Sequence, residues 1–331
     1  MKTGRVLPMT TAWDFGVSRE LDLVERTIRE SVESEEPLLT EISQYVIASG
    51  GKRIRPTVTL LAFKAVGGKE IDKAVDIAAA LELIHSATLI HDDINDAAME
   101  RRGRPAAYLK YGLQEALVTG DFLFTKAFRI GGKFDDEIVE MTARVCTALA
   151  EGEIRQKRHM GDVQLDREEY VNIITRKTAM PIATGARVGA LLGGGTLGAI
   201  DAAGEYGMNL GIAFQIVDDI LDVVGDGVTL GKRPGMDVKE GNVTLLAIHA
   251  LNDGTVSDRS ELIRIIRKRT KDWGEVQTAL RMIQESGAVE KAKAEARGFG
   301  DRALEALEGL PDTEARRHLR DLVAFVLSRH A

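Results

Sequence analysis

The sequence predicts a single all-α domain, and three observations support this prediction. Only seven prolines interrupt the 331 residues, and the long stretches between them carry apolar residues at the three- and four-residue spacing of a helix face. Segments rich in β-branched residues at period two, which would indicate strands, are hard to find. No change of composition indicates a linker. We therefore expect a single all-α domain over residues 1–331, with about ten or more helices.

Length and composition are those of a soluble globular protein. Apolar residues make up 44 % and charged residues 29 %, and the formal charge of −7 provides no basic field that would attract nucleic acid. The single cysteine, Cys146, excludes an intramolecular disulfide and suits a reducing compartment. No segment has the pattern of a signal peptide, and the most apolar segment after Arg187 has only 13 residues. We expect a cytoplasmic protein with no integral membrane segment and no nucleic-acid partner.

Two long segments predict the central helices. In "DKAVDIAAALELIHSATLIHDD" and in "AAGEYGMNLGIAFQIVDDILDVV", apolar residues recur every three or four positions, so each segment forms a helix with an apolar face. Glycine-rich loops at 67–69, 130–136, 191–196 and 225–242 separate the predicted helices. The charged, alanine-rich residues 260–331 predict peripheral C-terminal helices. The two apolar faces consist of Ile77, Leu81, Ile84 and Thr88, and of Leu210, Phe214, Val217 and Leu221.

Each central helix carries the pattern D-D-x-x-D near its C-terminal end. Asp92 and Asp96 lie four residues apart, so they share one helix face, and Asp93 flanks them. The apolar turns that precede them place these three carboxylates, which we call an acidic rim, at the mouth of an apolar groove. The same three- and four-residue spacing places on one face of the second helix the residues Gln215, Asp218, Asp219 and Asp222.

The chemistry of these carboxylates indicates a divalent metal. A buried carboxylate cluster is costly unless a cation neutralises it. Oxygen-only ligands favour Mg²⁺, with Mn²⁺ as an alternative, over zinc or copper. Because Mg²⁺ is usually held by one or two carboxylates together with substrate phosphates, two facing rims predict a bound diphosphate. Either motif alone is compatible with a solvated helix end, but the matched pair argues against that interpretation.

Basic residues near both motifs supply the fixed cations that phosphate chemistry needs. One group follows a Gly-Gly turn, whose backbone N–H groups can also face an anion. A second group follows the first acidic motif, just before "GRP" breaks the helix. The candidates are Lys52, Arg53 and Arg55 after the turn, Arg101 and Arg102 after the motif, Lys177 with Thr178 in "RKTAMP", and Lys232 in "LGKRPG".

Five segments together resemble the signature regions of trans-isoprenyl diphosphate synthases, the polyprenyl synthetase family. They are "GGKRIRP", "ELIHSATLIHDDINDAAMERRGRPA", "KTA", "FQIVDDILD" and "GKRPGMDVKEGNVTL", in the family's order, and the resemblance extends from about Leu39 to Leu251. It implies an isoprenoid synthase helical bundle with a central apolar cavity between the two Asp-rich helices, usually as a homodimer. It also implies a prenyltransferase that condenses isopentenyl diphosphate with a dimethylallyl, geranyl or farnesyl diphosphate.

The resemblance implies a role for individual residues. Mg²⁺ would be bound by Asp92, Asp93, Asp96, Asp218, Asp219 and Asp222. The allylic diphosphate would be contacted by Arg101, Lys177, Thr178, Gln215 and Lys232. Isopentenyl diphosphate would be held by Gly51, Lys52, Arg55, His85 and Arg102, whereas His91 is expected to be structural. The residues expected to be catalytic are Asp92, Asp93, Asp96, Asp218, Asp219, Lys177 and Lys232.

Side chains below the first motif predict the product length. One helix turn of about 5.4 Å is close to the length of one isoprene unit. A plug one turn below Asp92 would therefore stop chain growth early. The residues there, Ala87 and Thr88, are small, so we expect an all-trans product of C20 or longer. Deeper candidates for the end of the cavity are Ile84, Phe122, Phe124 and Phe128.

Two positions depart from the family's pattern. In "EGNVTLL", Asn242 stands where many members carry a second lysine. In "KTAMP", Pro181 predicts a kinked or restarted helix.

Other protein classes fit the sequence less well. A terpene cyclase would mix Asn, Ser or Thr, and Glu in its second motif, and it would have no use for an isopentenyl site at Lys52 and Arg55. Squalene- and phytoene-type synthases space their aspartates differently. A non-catalytic partner subunit would lack one aspartate motif or its basic set, and this chain keeps both. The sequence therefore favours a chain-elongating synthase.

Overall fold

The computed structural model describes residues 15–225, 233–253 and 256–329, and this part of the chain is almost entirely helical, which confirms the all-α prediction. A π-helical turn (Thr175–Ala179) joins α8 to α9, and a hairpin of two short strands, β1 (Glu100–Arg101) and β2 (Arg104–Pro105), follows α4. In chain order the helices are α1 (Ser18–Ser31), α2 (Pro37–Ile47), α3 (Ile54–Ala65), α4 (Asp72–Asn95), α5 (Ala107–Tyr111), α6 (Leu113–Gly131), α7 (Asp136–Arg158), α8 (Arg167–Ile174), α9 (Met180–Leu192), α10 (Leu197–Val224), α11 (Met236–Glu240), α12 (Leu245–Asp253), α13 (Val256–Arg267), α14 (Trp273–Glu285), α15 (Ala288–Ala306) and α16 (Glu314–Ser328).

Helix α4 lies in the middle of the bundle. It is apolar on nearly every side, with Ile77, Leu81 and Ile84 among its buried residues, so neighbouring helices must cover it all round. Helices α1, α3, α6 and α9 pack against it. Among the described residues α4 is also long and apolar enough to cross a membrane, but 72 % of that apolar window is buried inside the protein. Core packing therefore accounts for its hydropathy.

The C-terminal helices belong to the core, in contrast to the peripheral layer expected for residues 260–331. Helix α15 packs along α10 and buries Ala292, Ala296 and Phe299. Helix α16 contacts α3 and α10, and the Tyr206 hydroxyl of α10 donates a hydrogen bond to the Leu319 carbonyl (2.8 Å). The alanine-rich composition that indicated exposed helices instead provides small side chains, which allow two helix axes to approach closely.

The chain leaves α4 immediately after the first acidic motif. Asp96 is the C-cap of α4, and Ala97 has a left-handed backbone (φ +51°), which ends the helix. The sequence suggested that the helix continues as far as "GRP", but Arg101 lies on β1 and Arg102 lies in the hairpin turn. The hairpin folds the chain back, so these arginines return to the carboxylates that precede them.

Candidate active site

The first acidic motif lies at the C-terminal end of α4, and protein cations pair with two of its three carboxylates. Asp93 Oδ1 accepts a hydrogen bond from Arg101 Nε (2.8 Å), and Asp96 is ion-paired with Lys157 of α7. Burial raises the pKa of Asp92 to about 6, although the nearby Lys177 opposes this shift. Burial also raises the pKa of Asp93. These carboxylates are poorly hydrated and would be stabilised by a bound cation.

The second acidic motif, on α10, is held by hydrogen bonds. Asp219 accepts hydrogen bonds from the Tyr170 hydroxyl (2.6 Å) and from Gln215 Nε2 (2.8 Å). Burial nevertheless raises the pKa of Asp219 to about 7. Asp222 is buried, and its Oδ2 accepts a hydrogen bond from the backbone N–H of Asp237 (3.0 Å). The motif therefore also anchors the segment that carries α11.

Asp218, the first residue of the second motif, meets two cations. Its Oδ1 lies 3.4 Å from Lys52 Nζ and 2.6 Å from Arg329 Nη2. The ammonium of Lys52 and the guanidinium of Arg329 both also lie about 5 Å from the centre of the Phe214 ring, at 5.1 Å and 5.0 Å. The C-terminal end of α16 is thus brought to the rim of the second acidic motif.

A π-helical turn lies between the two acidic helices. It forms because Pro181 in the first turn of α9 has no N–H to donate, so the chain restarts its helix at Met180, as predicted. The turn also lies against Gly152 of α7, where an added Cβ would come within 2.8 Å of Lys177 Cγ. Proline and glycine together therefore allow a widened turn to approach α7 closely.

The π turn presents one side chain to each motif. Burial would lower the pKa of Lys177, but Asp92 and Glu153 outweigh this effect and raise it. Lys177 Nζ donates a hydrogen bond to Glu153 Oε2 (2.5 Å). The Thr178 hydroxyl donates a hydrogen bond to Gln215 Oε1 (2.8 Å) on α10. Of these two consecutive residues, Lys177 is therefore held on α7 within the electrostatic influence of Asp92, and Thr178 is bonded to α10.

A basic pocket adjoins the acidic rims, and it contains the five residues predicted for isopentenyl diphosphate. Gly51 is close to Arg102, because an added Cβ would lie 2.9 Å from Arg102 Nη1. Burial lowers the pKa values of Lys52 and Arg55, and the buried Nε–H of Arg55 has no hydrogen-bond partner among the described residues. Burial and the neighbouring Arg55 and Arg102 hold the pKa of His85 well below its ordinary value. The pocket is therefore suited to an anion.

The donor set fits a hard divalent cation. Both rims offer only carboxylate oxygens, the ligand type that suits Mg²⁺, Ca²⁺ and Mn²⁺. Within the described ranges, no three Asp, Glu, His or Cys side chains converge closely enough to hold a metal ion by themselves. This arrangement agrees with a site in which substrate oxygens supply part of the coordination shell. The residues that would hold the metal are those of the two D-D-x-x-D motifs.

A small cavity of about 10 Å³ adjoins the basic pocket. Thr88 and Ile84, two of the predicted chain-length residues, line it, whereas Ala87 is completely buried in the core. Phe122, Phe124 and Phe128 lie on α6 and do not line this cavity, and their chain-length role stays a prediction. The other lining residues are Arg55, Leu81, His85, Val145, Leu149 and Pro181.

The described structure brings together every predicted substrate and metal residue except Lys232, which lies outside the described residues. The sequence analysis missed Lys157, Tyr170 and Arg329. Lys157 could have been found, because it follows Glu153 by four positions in "EGEIRQK" and so shares its helix face. No local pattern marks the other two.

Known proteins share this architecture. Residues 36–283 match the family model described as polyprenyl synthetase. The chain is 40 % identical over 314 residues to the short chain isoprenyl diphosphate synthase of Methanothermobacter thermautotrophicus, with 93 % of this chain and 96 % of that protein covered. It is 34 % identical over 307 residues to the octaprenyl diphosphate synthase of Escherichia coli, with 92 % and 94 % covered.

A solved structure of a polyprenyl synthase has the same fold. The crystal structure of a polyprenyl synthase from Caulobacter crescentus, complexed with calcium and isoprenyl diphosphate, matches with a TM-score of 0.91 at 34 % identity. The match covers 95 % of this chain and 96 % of that one. The resemblance inferred from the five sequence segments is confirmed, and the chain belongs to the polyprenyl synthetase family and is a trans-prenyltransferase.

Proposed function

We propose that this prenyltransferase condenses isopentenyl diphosphate with dimethylallyl, geranyl or farnesyl diphosphate in a Mg²⁺-dependent reaction. The product is an all-trans polyprenyl diphosphate of C20 or longer. The observation that carries the proposal is the π turn, which directs Lys177 to the first acidic motif and Thr178 to the second. A diphosphate bound beside this turn would meet carboxylate-bound metal and protein cations together.

The basic pocket supports a second diphosphate site. Its side chains are Lys52, Arg55, His85 and Arg102, which lie around Gly51. A buried guanidinium N–H without a partner is costly unless a ligand accepts from it, and Arg55 Nε–H is such a group among the described residues. We assign this pocket to isopentenyl diphosphate, because the acidic rims next to it are suited to the metal-bound allylic substrate.

The reaction requires no side-chain nucleophile. The C1–O bond of the allylic diphosphate breaks, and its electron pair leaves with the diphosphate. The double bond of isopentenyl diphosphate supplies the electron pair of the new bond to C1, and the proton lost from C2 passes to the released diphosphate. The carboxylates of the two D-D-x-x-D motifs would hold Mg²⁺, which would supply positive charge to stabilise the leaving group. Arg101, Lys177 and Lys232 would orient that group and add fixed positive charge.

The small side chain of Thr88, one turn below Asp92, supports a long product, because no bulky residue of α4 blocks the growing chain at that level. Ile84 and Leu81 line the cavity farther down the same face of α4. The relatives named above range from short-chain to octaprenyl synthases, so the end point depends on this chain's own cavity residues.

We further propose that the enzyme is a cytoplasmic homodimer. Leu113, Leu117, Val118 and Phe128 on α6 are each about half exposed, and together they form an apolar surface of the kind that a second copy would cover. The single cysteine agrees with a reducing compartment.

The direct test is incubation of the purified protein with Mg²⁺, labelled isopentenyl diphosphate and farnesyl diphosphate, followed by chromatographic sizing of the products. We expect products of C20 or longer, with no activity in chelator or in an Asp219→Asn variant. An active wild-type protein that stops at C15 from dimethylallyl diphosphate would contradict the proposed length. No product with metal and both substrates present would overturn the proposed function.

A further inference from the structure

A series of side-chain hydrogen bonds extends from Lys177 through Gln156 and Asn242 to Glu240. None of the last three residues has a role in the proposed reaction. Lys177 Nζ donates to Gln156 Oε1 (2.6 Å), and Gln156 Nε2 donates to Asn242 Oδ1 (3.0 Å). Asn242 Nδ2 in turn donates to Glu240 Oε2 (3.1 Å). These hydrogen bonds thus connect the π turn, helix α7 and the segment just after α11.

The two end groups, the Lys177 ammonium and the Glu240 carboxylate, determine which atom donates in every hydrogen bond of this series. An ammonium group can only donate hydrogen bonds, and an ionised carboxylate can only accept them. The acceptor at Glu240 therefore orients the NH₂ of Asn242 toward itself, which leaves Asn242 Oδ1 for the NH₂ of Gln156. Gln156 Oε1 must then face Lys177. A reversed amide at either position would place two donors or two acceptors against each other.

Gln156 is one of several groups that attract the Lys177 ammonium. Glu153 Oε2 accepts from Lys177 at 2.5 Å, and the charge of Asp92 also attracts it. A neutral amide can hold Lys177 between these carboxylates without adding negative charge beside a diphosphate. A lysine at position 242 could not accept from Gln156, whereas the Asn242 amide can both accept from Gln156 and donate to Glu240.

We propose that Gln156 is a positioning residue for Lys177, and that Asn242 acts through Gln156 by fixing the orientation of its amide. The inference rests on the proposed function, in which Lys177 binds the allylic diphosphate. Neither amide is required to touch the substrate. The loss of either should therefore weaken allylic binding and leave the isopentenyl site unchanged.

The test compares Gln156→Ala, Asn242→Ala and the double variant with two matched controls, Gln164→Ala and Asn252→Ala, whose side chains are exposed. Steady-state kinetics gives KM separately for farnesyl and isopentenyl diphosphate. Calorimetry measures the binding of the thiolo analogue of farnesyl diphosphate, whose C–S bond resists ionisation, in the presence of Mg²⁺. Circular dichroism melting shows whether each variant is folded.

We expect Gln156→Ala to weaken analogue binding and raise KM for farnesyl diphosphate by about tenfold, the scale for losing a hydrogen bond to a charged group. Asn242→Ala should act in the same direction, and the double variant should be no worse than Gln156→Ala alone, because both act through one amide. KM for isopentenyl diphosphate should stay unchanged. Additive effects, equal losses for both substrates, or an Asn242→Ala variant identical to its control would overturn the proposal. An inactive wild-type protein would instead overturn the proposed function.

Discussion

Replacement of Thr88 by phenylalanine tests whether the growing chain follows the cavity below the first acidic motif. Thr88 lies four residues before Asp92, so at 1.5 Å per residue its side chain is about 6 Å below the carboxylate rim. Three isoprene units of a farnesyl tail need about three helix turns, or roughly 16 Å, so the tail must pass this position. The facing walls, Val145 and Leu149 of α7 and Pro181 of α9, leave little space for an added ring.

The expected effect follows from overpacking. Forcing a tail past a ring in a packed cavity costs about 1–3 kcal/mol, which corresponds to roughly 5- to 150-fold slower elongation of farnesyl diphosphate. Dimethylallyl diphosphate is too short to reach the ring and should remain a good starter.

The assay measures initial rates with both starters and sizes the products by chromatography. Thr147→Phe, at an exposed position on α7, is the matched control and should behave like the wild type. If the Thr88→Phe variant makes the same products at the same rate from farnesyl diphosphate, the isoprenoid product does not grow along this face of α4.

Three further predictions concern protons, ion pairs and assembly. Burial raises the pKa of Asp92 to about 6 and that of Asp219 to about 7. The metal-free folded protein therefore binds these protons more tightly than the unfolded chain, and it loses stability as the pH rises from about 4 to about 7. Mg²⁺ should raise the melting temperature more at about pH 8 than at about pH 5.5, and equal increases would contradict this. Arg53→Ala should lower the free energy of unfolding by about 3–5 kcal/mol in urea titrations, because it leaves the buried Glu82 unpaired. A loss below about 1 kcal/mol would refute that role. Leu117→Asp should convert a dimer to monomers in sedimentation, and an unchanged mass would exclude this face as the interface.

The parts of the site that could be predicted from sequence are those set by local geometry. Asp92 and Asp96 share a face because they are four residues apart on a helix, and the same rule applies to Asp218 and Asp222. Pro181 restarts its helix because an imide nitrogen carries no proton. Such inferences need only the neighbouring residues, and the structure reproduces each helix.

The parts that could not be predicted depend on contacts between distant segments. The Tyr170 hydroxyl reaches Asp219 across 49 positions of the chain, and Arg329 reaches Asp218 across 111. Neither residue lies in a recognisable motif. The π turn was also missed, because widening a helical turn requires a neighbour that leaves room, and here that neighbour is Gly152 on α7.

Ion pairs partly neutralise the dense carboxylate cluster. Arg101 and Lys157 pair with carboxylates of the first motif, and Lys52 and Arg329 pair with Asp218. A buried charge without such a partner would cost several kcal/mol. If the carboxylates held metal ions, these cations would be released from their partners beside the place where diphosphate oxygens would bind. We therefore expect Lys52, Arg101, Lys157 and Arg329 to contact substrate oxygens once metal and substrate are bound.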